Sequence, residues 1–172
     1  DLVAAVSAPG VPARDRAMIA TMLHTGLRAQ EVCDLTLADI RLTKKDGWLT
    51  VQSGKRSKWR EVPLNGTVRA ALTEYVPRRT GDSQYLLPGR GGNRLTERAL
   101  RLIVPRYAQA AGVSHLSPHD LRHRFGYRMA ASGTPLQVLA SLMGHDSLDT
   151  TMIYVRATRG DLQAAVERIA WR

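Results

Sequence analysis

Between Ile40 and Leu64 the spacing of apolar residues switches from a helical repeat to alternation, and then switches back. Leu49 and Val51 alternate with polar partners, the period-2 pattern of a strand with one buried face. Ahead of them, Ile19, Met22 and Leu23, then Leu27, Glu31, Val32 and Leu35, fall at helical spacing. Beyond them, Val68, Ala71, Leu72 and Tyr75 make an i, i+3, i+4, i+7 stripe closed by Pro77. The pattern predicts an α+β fold, mostly helical, with one small three-stranded antiparallel sheet. Strands are expected near Ile40–Leu42, Trp48–Gln52 and Glu61–Leu64, with Gly54–Trp59 as a basic turn between the last two.

Punctuation divides the rest into helices. Thr25-Gly26 interrupts the first long one, Pro88–Arg94 reads as a Gly- and Arg-rich loop, and Gly112 ends the helix of Leu100, Ile103, Val104 and Tyr107. Ser117-Pro118-His119-Asp120 is a strong helix start: an N-cap serine, proline in the first turn and an acid at the third position. Thr134-Pro135 repeats that logic, and Gly144 closes the helix that follows. Ser147 starts a shorter helix expected to carry Tyr154. Asp161 caps a last amphipathic stripe of Leu162, Ala165, Val166 and Ile169.

A chain of 172 residues, 44% of them hydrophobic, is the size of one domain and buries a real core. No apolar run approaches the ~18 residues needed to span a bilayer. Cys33 stands alone, which excludes an internal disulfide or a thiolate zinc site and fits a reducing compartment. The formal charge of +10 favours a polyanionic partner, nucleic acid ahead of an anionic membrane, because no basic amphipathic helix stands out. The 25 basic residues are mostly arginine, and every lysine (Lys44, Lys45, Lys55, Lys58) falls in one stretch. Arginine keeps its proton in a protein, so a proton donor among these cations has to be a lysine.

Four segments carry chemistry-bearing residues: Thr25-Gly26-Leu27-Arg28-Ala29-Gln30-Glu31, Gly54-Lys55-Arg56-Ser57-Lys58, His119-Asp120-Leu121-Arg122-His123, and Gly144-His145 with Tyr154 nine residues on. Singly, each has an ordinary explanation as a surface charge, a solvated turn, a decorated helix or a helix end. Together, in this order, they resemble the tyrosine recombinase family that includes phage integrases and the Xer recombinases. The resemblance runs from about Arg14 to Arg156. It covers the Thr-Gly-Leu-Arg-x-x-Glu helix start, the Gly-Lys hairpin ending in Val62-Pro63-Leu64, the His-x-x-Arg-His helix, Gly-His and the downstream tyrosine.

The resemblance implies a catalytic set of Arg28, Lys55, His119, Arg122, His145 and Tyr154, with Arg56, Lys58 and Arg60 as DNA contacts. Glu31 is expected to orient a neighbouring basic group, and His123 to be a supporting or buried helix residue. Residues 1–172 are expected to form the catalytic domain. The family's N-terminal core-binding domain is not found ahead of it, so the chain is expected to be a fragment. Implied partners are double-stranded DNA and further copies of the chain assembled on it; helix 161–170 either docks in trans on such a copy or covers the domain's own core. The implied setting is cytoplasmic and nucleoid-associated, in a bacterium, phage or mobile element, without a membrane, metal or other cofactor.

The chemistry agrees with the residue types. Attack on a phosphodiester concentrates negative charge on the non-bridging oxygens and on the leaving 5′-oxygen. Arg28 and Arg122 can each present a planar fork of donors to those oxygens. His119 can take the tyrosine proton or hold the phosphate, and His145 can add a hydrogen bond to it. Lys55 can protonate the 5′-oxygen, while Tyr154 keeps the phosphate as a 3′-phosphotyrosyl ester and conserves the bond for religation. Glycine-rich Walker loops and carboxylate clusters are lacking, so neither ATP nor a metal is expected.

Rival readings explain less. His115, His119 and His123 recur every four residues like zinc ligands, but Pro118 starts the helix after the first and Arg122 brings a cation among them. A non-enzymatic helix-turn-helix module over Ser117–Gly144 explains the charge and leaves Arg28, Lys55, His145 and Tyr154 idle. A type IB topoisomerase would share the chemistry, although Gly144-His145 and the Gly-Lys hairpin look like a recombinase.

Overall fold

The alternating stretch forms the sheet it predicts. In the computed structural model, which describes residues 2–53, 58–145 and 147–154, strands β1 (Ile40–Leu42), β2 (Gly47–Ser53) and β3 (Lys58–Pro63) pair antiparallel in the order β1-β2-β3. Leu49 faces Val62 and Val51 faces Arg60 across the β2–β3 ladder. Helices α1 (Leu2–Val6), α2 (Ala13–Thr25) and α3 (Ala29–Asp34) precede the sheet. After it come α4 (Gly66–Tyr75), α5 (Glu97–Ala110), α6 (Pro118–Ala131), α7 (Leu136–Met143) and α8 (Leu148–Met152).

Two boundaries differ from the sequence expectation, and both bear on the site. Strand β3 begins at Lys58 and not near Glu61, so Lys58 and Trp59 belong to the ladder and not to the basic turn, and Arg60 joins it too. Strand alternation then turns Trp59 and Glu61 to solvent and Arg60 and Val62 inward. Helix α8 stops at Met152, so Tyr154 is not on the helix but two residues past it, in a turn closed by Tyr154 N donating to Thr151 O at 3.1 Å. The Gly54–Ser57 part of the basic turn and the stripe from Leu162 to Ile169 lie outside the described residues.

The core forms where α2 packs against α4 and α6, with Met18, Ile19, Met22, Leu72 and Leu121 fully buried among strand residues Leu49 and Val62. Helix α6 starts where Ser117 says it should. Ser117 N donates to the Asp120 carboxylate at 2.8 Å and Asp120 N donates back to Ser117 Oγ at 3.3 Å, a reciprocal capping box. A separate small cluster of Phe125, Leu139, Met143 and Tyr154 fills the space between α6, α7 and the turn after α8. Helices α6 and α7 do trace a helix-turn-helix outline, but α6 carries Arg122 into the interior. Among the described residues no helix is long and apolar enough to cross a membrane.

Candidate active site

Three arginines from three elements converge on the end of α7. Arg60 Nε donates to Leu142 O, Arg122 Nη2 to Met143 O and Arg28 Nη2 to Gly144 O, each at 2.9 Å. The last carbonyls of a helix lack intrahelical partners and carry the negative end of its dipole, so consecutive oxygens there suit guanidinium donors. Gly144 makes the approach possible. It sits at φ 63°, and a Cβ on it would meet Arg60 Nη1 at 2.5 Å.

Glu31 organises two of these arginines. Its carboxylate accepts from Arg60 Nη1 at 2.8 Å and Nη2 at 2.9 Å, and from Arg28 Nη1 at 3.1 Å and the Arg28 backbone N–H at 2.7 Å. Burial alone would raise the Glu31 pKa, but the Arg60 bonds and charge, with Arg28 behind them, hold it below the usual carboxylate range. The sequence expectation that Glu31 orients a basic group is met twice over. Arg60 departs from expectation. As a DNA contact it should face outward, whereas its three nitrogens are engaged with Glu31 and Leu142 O on the inner face of β3.

Arg122 is buried and reaches three acceptors: Gly26 O, Met143 O and, 2.9 Å from Nη2, the Nε2 of His145. Burial, followed by the charge of Arg28, lowers its pKa to about 10. A guanidinium has no lone pair to offer, so His145 Nε2 is the acceptor and its proton sits on Nδ1, directed at Thr151 Oγ1 2.7 Å away. Burial and then Arg122, Arg28 and Arg60 lower the His145 pKa to about 4. The imidazole is therefore neutral at pH 7. Here it steadies Arg122, whereas the sequence expectation had it donating to a phosphate. The cluster holds more positive charge than Glu31 balances, and a phosphate would relieve it.

A groove of about 540 Å3 opens over this cluster, lined by Arg28, His119 and Arg122 with Ser117, Gln30 and Arg101 at its sides. His119 and Arg122 sit three apart on α6 and both reach it, as the sequence spacing implied. Tyr154 is buried beside it. Its ring lies in the bay left by Gly126, where a Cβ would stand 2.7 Å from Tyr154 Cε1 and Cζ. Its hydroxyl is 3.0 Å from His123 Nδ1. Burial raises the Tyr154 pKa, with Arg122 opposing and Tyr127 adding to the rise, so the phenol keeps its proton until a base removes it.

Residues 1–160 match the sequence profile of the phage integrase family. The chain belongs to that family. Among curated relatives of this integrase-family chain, the tyrosine recombinase XerA of Pyrococcus furiosus is 39% identical over 158 residues, covering 90% of this chain and 54% of the relative. The tyrosine recombinase XerC of Corynebacterium glutamicum is 35% identical over 158 residues, covering 90% and 50%. The chain thus spans about half the length of the curated relatives it matches. Among solved structures, the XerH site-specific recombinase bound to its difH substrate before cleavage superposes with a TM-score of 0.84 at 25% identity, covering 97% of this chain and 51% of that one. The crystal structure of XerA recombinase gives a TM-score of 0.80 at 25% identity, covering 99% and 62%.

Of the integrase site residues read from the sequence, the structure brings together Arg28, His119, Arg122, His145 and Tyr154. Lys55 and Arg56 lie outside the described residues, as does the side chain of Lys58. Sequence reasoning missed Thr151, whose hydroxyl meets His145 Nδ1 at 2.7 Å, and Gly126, which makes room for the Tyr154 ring. The sequence carried a signal for Gly126 alone. A glycine inside a helix costs about 1 kcal/mol relative to alanine and calls for a packing reason. Thr151 is buried between the exposed Thr150 and Met152, on a helix whose polar residues otherwise face water.

Proposed function

We propose that this chain cleaves and rejoins DNA strands by transesterification, as the site-specific recombination half of its family would. One observation carries the reading: Arg28, Arg122 and His119 line one groove, and the Tyr154 hydroxyl is linked to His119 at its edge through His123. Tyr154 Oη attacks the phosphorus, the bond to the 5′-oxygen breaks, and the phosphate remains on the enzyme as a 3′-phosphotyrosyl ester. Arg28 and Arg122 neutralise charge on the non-bridging oxygens. Lys55 protonates the leaving 5′-oxygen. Arg56 and Lys58 contact the DNA backbone beside it. The reverse sequence joins the phosphate to another 5′-hydroxyl. Two guanidinium groups and an ammonium supply the charge that a metal would otherwise supply, so neither a metal nor another cofactor enters a step.

Double-stranded DNA is the substrate, in an oligomer of this chain, with the segment 161–170 docking on a neighbouring protomer. Its setting is the nucleoid of a bacterium or the life cycle of a phage or mobile element. The test is a nicked suicide duplex, in which the cleaved fragment diffuses away and traps the ester. A protein–DNA adduct that survives denaturant, formed equally well in excess EDTA, is the expected result. A salt-sensitive shift without an adduct would point to a DNA-binding module, and loss of cleavage in EDTA restored by magnesium would overturn the mechanism.

A further inference from the structure

His123 is the one polar side chain touching the nucleophile's oxygen among the described contacts, and the reading above gives it no task. It follows Arg122 on α6. Its Nδ1 stands 3.0 Å from Tyr154 Oη, and its Nε2 stands 2.6 Å from His119 Nε2. The histidine that the sequence assigns to the tyrosine proton, His119, therefore meets His123 and not the tyrosine. Exposure rises along the line, from buried Tyr154 through half-buried His123 to exposed His119 at the groove.

Proton positions follow from the geometry. Two Nε2 atoms at 2.6 Å cannot both carry protons, because donors would then face each other. With the shared proton on His123, its Nδ1 is bare and accepts from the Tyr154 hydroxyl. With the shared proton on His119, His123 Nδ1 carries a proton and donates to the tyrosine oxygen. These are the arrangements needed before and after the attack.

We propose that His123 is a catalytic residue that accepts the Tyr154 proton on Nδ1 and passes its own Nε2 proton to His119. This rests on the transesterification reading. As Oη bonds to phosphorus and the bond to the 5′-oxygen breaks, one proton moves from Oη to His123 Nδ1 and one from His123 Nε2 to His119 Nε2. The 5′-oxygen receives its proton separately, from Lys55. His123 ends neutral, and His119 ends as an imidazolium at the edge of the phosphate groove, where the anion stabilises it. On religation both protons run back and the tyrosine leaves as a phenol. Burial, and after it the charges of His119 and Arg122, lower the His123 pKa against the opposing pull of Asp120, which keeps a lone pair available at neutral pH.

The experiment takes nicked duplexes of randomised sequence, recovers those that form a denaturant-stable adduct with the unaltered chain, and measures single-turnover adduct formation on them. His123→Ala removes the acceptor. His123→Asn keeps an amide oxygen able to hold the hydroxyl but cannot take its proton. Both should be slower by about 10²-fold or more, the ordinary worth of a positioned base, with unchanged DNA affinity. Added imidazole should recover at least about tenfold in the alanine variant, as it would for a lost proton acceptor and not for a lost fold. Near-normal cleavage by either variant, or equal slowness that imidazole leaves untouched, would overturn the relay. Failure of the unaltered chain to form any adduct would instead strike the transesterification reading, and the relay would fall with it.

Discussion

Glu31 and Arg60 meet in two parallel hydrogen bonds, Nη1 to Oε1 at 2.8 Å and Nη2 to Oε2 at 2.9 Å, and so tie β3 to α3 across the active site. The same carboxylate holds Arg28, and the same guanidinium holds the end of α7 through Leu142 O. Removing Arg60 leaves a buried carboxylate with only half its partners. Arg60→Leu is expected to cost about 3 kcal/mol of stability, the range for breaking a buried pair, and to slow adduct formation by loosening Arg28. Urea unfolding measures the first. Arg60→Lys, which keeps the charge and loses the fork, should fall between the two. Unchanged stability in Arg60→Leu would mean that the pair braces nothing.

His145 gives the site a pH signature. Its pKa drops from 6.5 to about 4 on folding, through burial and then Arg122, Arg28 and Arg60. Between those values the unfolded chain binds the proton and the folded chain does not. Its contribution to stability is therefore complete above pH 6.5 and is lost as pH falls toward 4. The thermal midpoint should decline over that window more steeply in the parent than in His145→Asn. Followed by NMR, the His145 pKa should rise when inorganic phosphate is added, because an anion beside the ring favours its charged form.

Gly126 tests where the Tyr154 ring sits. Alanine is the better helix former by about 1 kcal/mol, yet its Cβ would stand 2.7 Å from the Tyr154 ring. Gly126→Ala should displace the tyrosine and reduce adduct formation by about 10²-fold, the cost of a misplacement of roughly 1 Å, while DNA binding stays unchanged. Normal adduct formation would place the ring elsewhere.

Much of this was legible in the sequence, and the exceptions share a cause. Alternation at Leu49 and Val51 gave the sheet, and Ser117-Pro118 gave the start of α6, because both signals are local. The sequence order of Arg28, His119, Arg122, His145 and Tyr154 pointed to one site, and the fold assembles it. Arg60 was misread because the strand was started one residue after it, with Lys58 and Trp59 left in the turn. Once β3 starts at Lys58, period 2 puts Arg60 on the face of Val62. The His145–Arg122 bond and the His119–His123–Tyr154 line were not legible, since each depends on how α6 packs against residues that follow it by more than twenty positions.

Lys55 is expected to act on the leaving group. An alkoxide leaves poorly without a proton, whereas a thiolate leaves unaided. Lys55→Ala should cleave ordinary DNA slowly, by the ~10²–10⁴-fold typical of a lost general acid, and recover on a substrate with sulfur at the bridging 5′ position. Lys58→Ala should show a smaller defect, relieved by lower salt and not by sulfur. Sulfur rescue of Lys58→Ala, or of neither variant, would remove Lys55 from this role.

The central claim is that Tyr154 becomes covalently joined to DNA. The direct measurement traps the adduct on a nicked suicide duplex, digests it with protease and nuclease, and maps the modified residue by mass spectrometry, with Tyr154→Phe in parallel. The account predicts a nucleotide ester on Tyr154, and in Tyr154→Phe intact DNA binding with no adduct. An ester on another residue, such as the exposed Tyr127 on the same face of α6, or an adduct that persists in Tyr154→Phe, would contradict it.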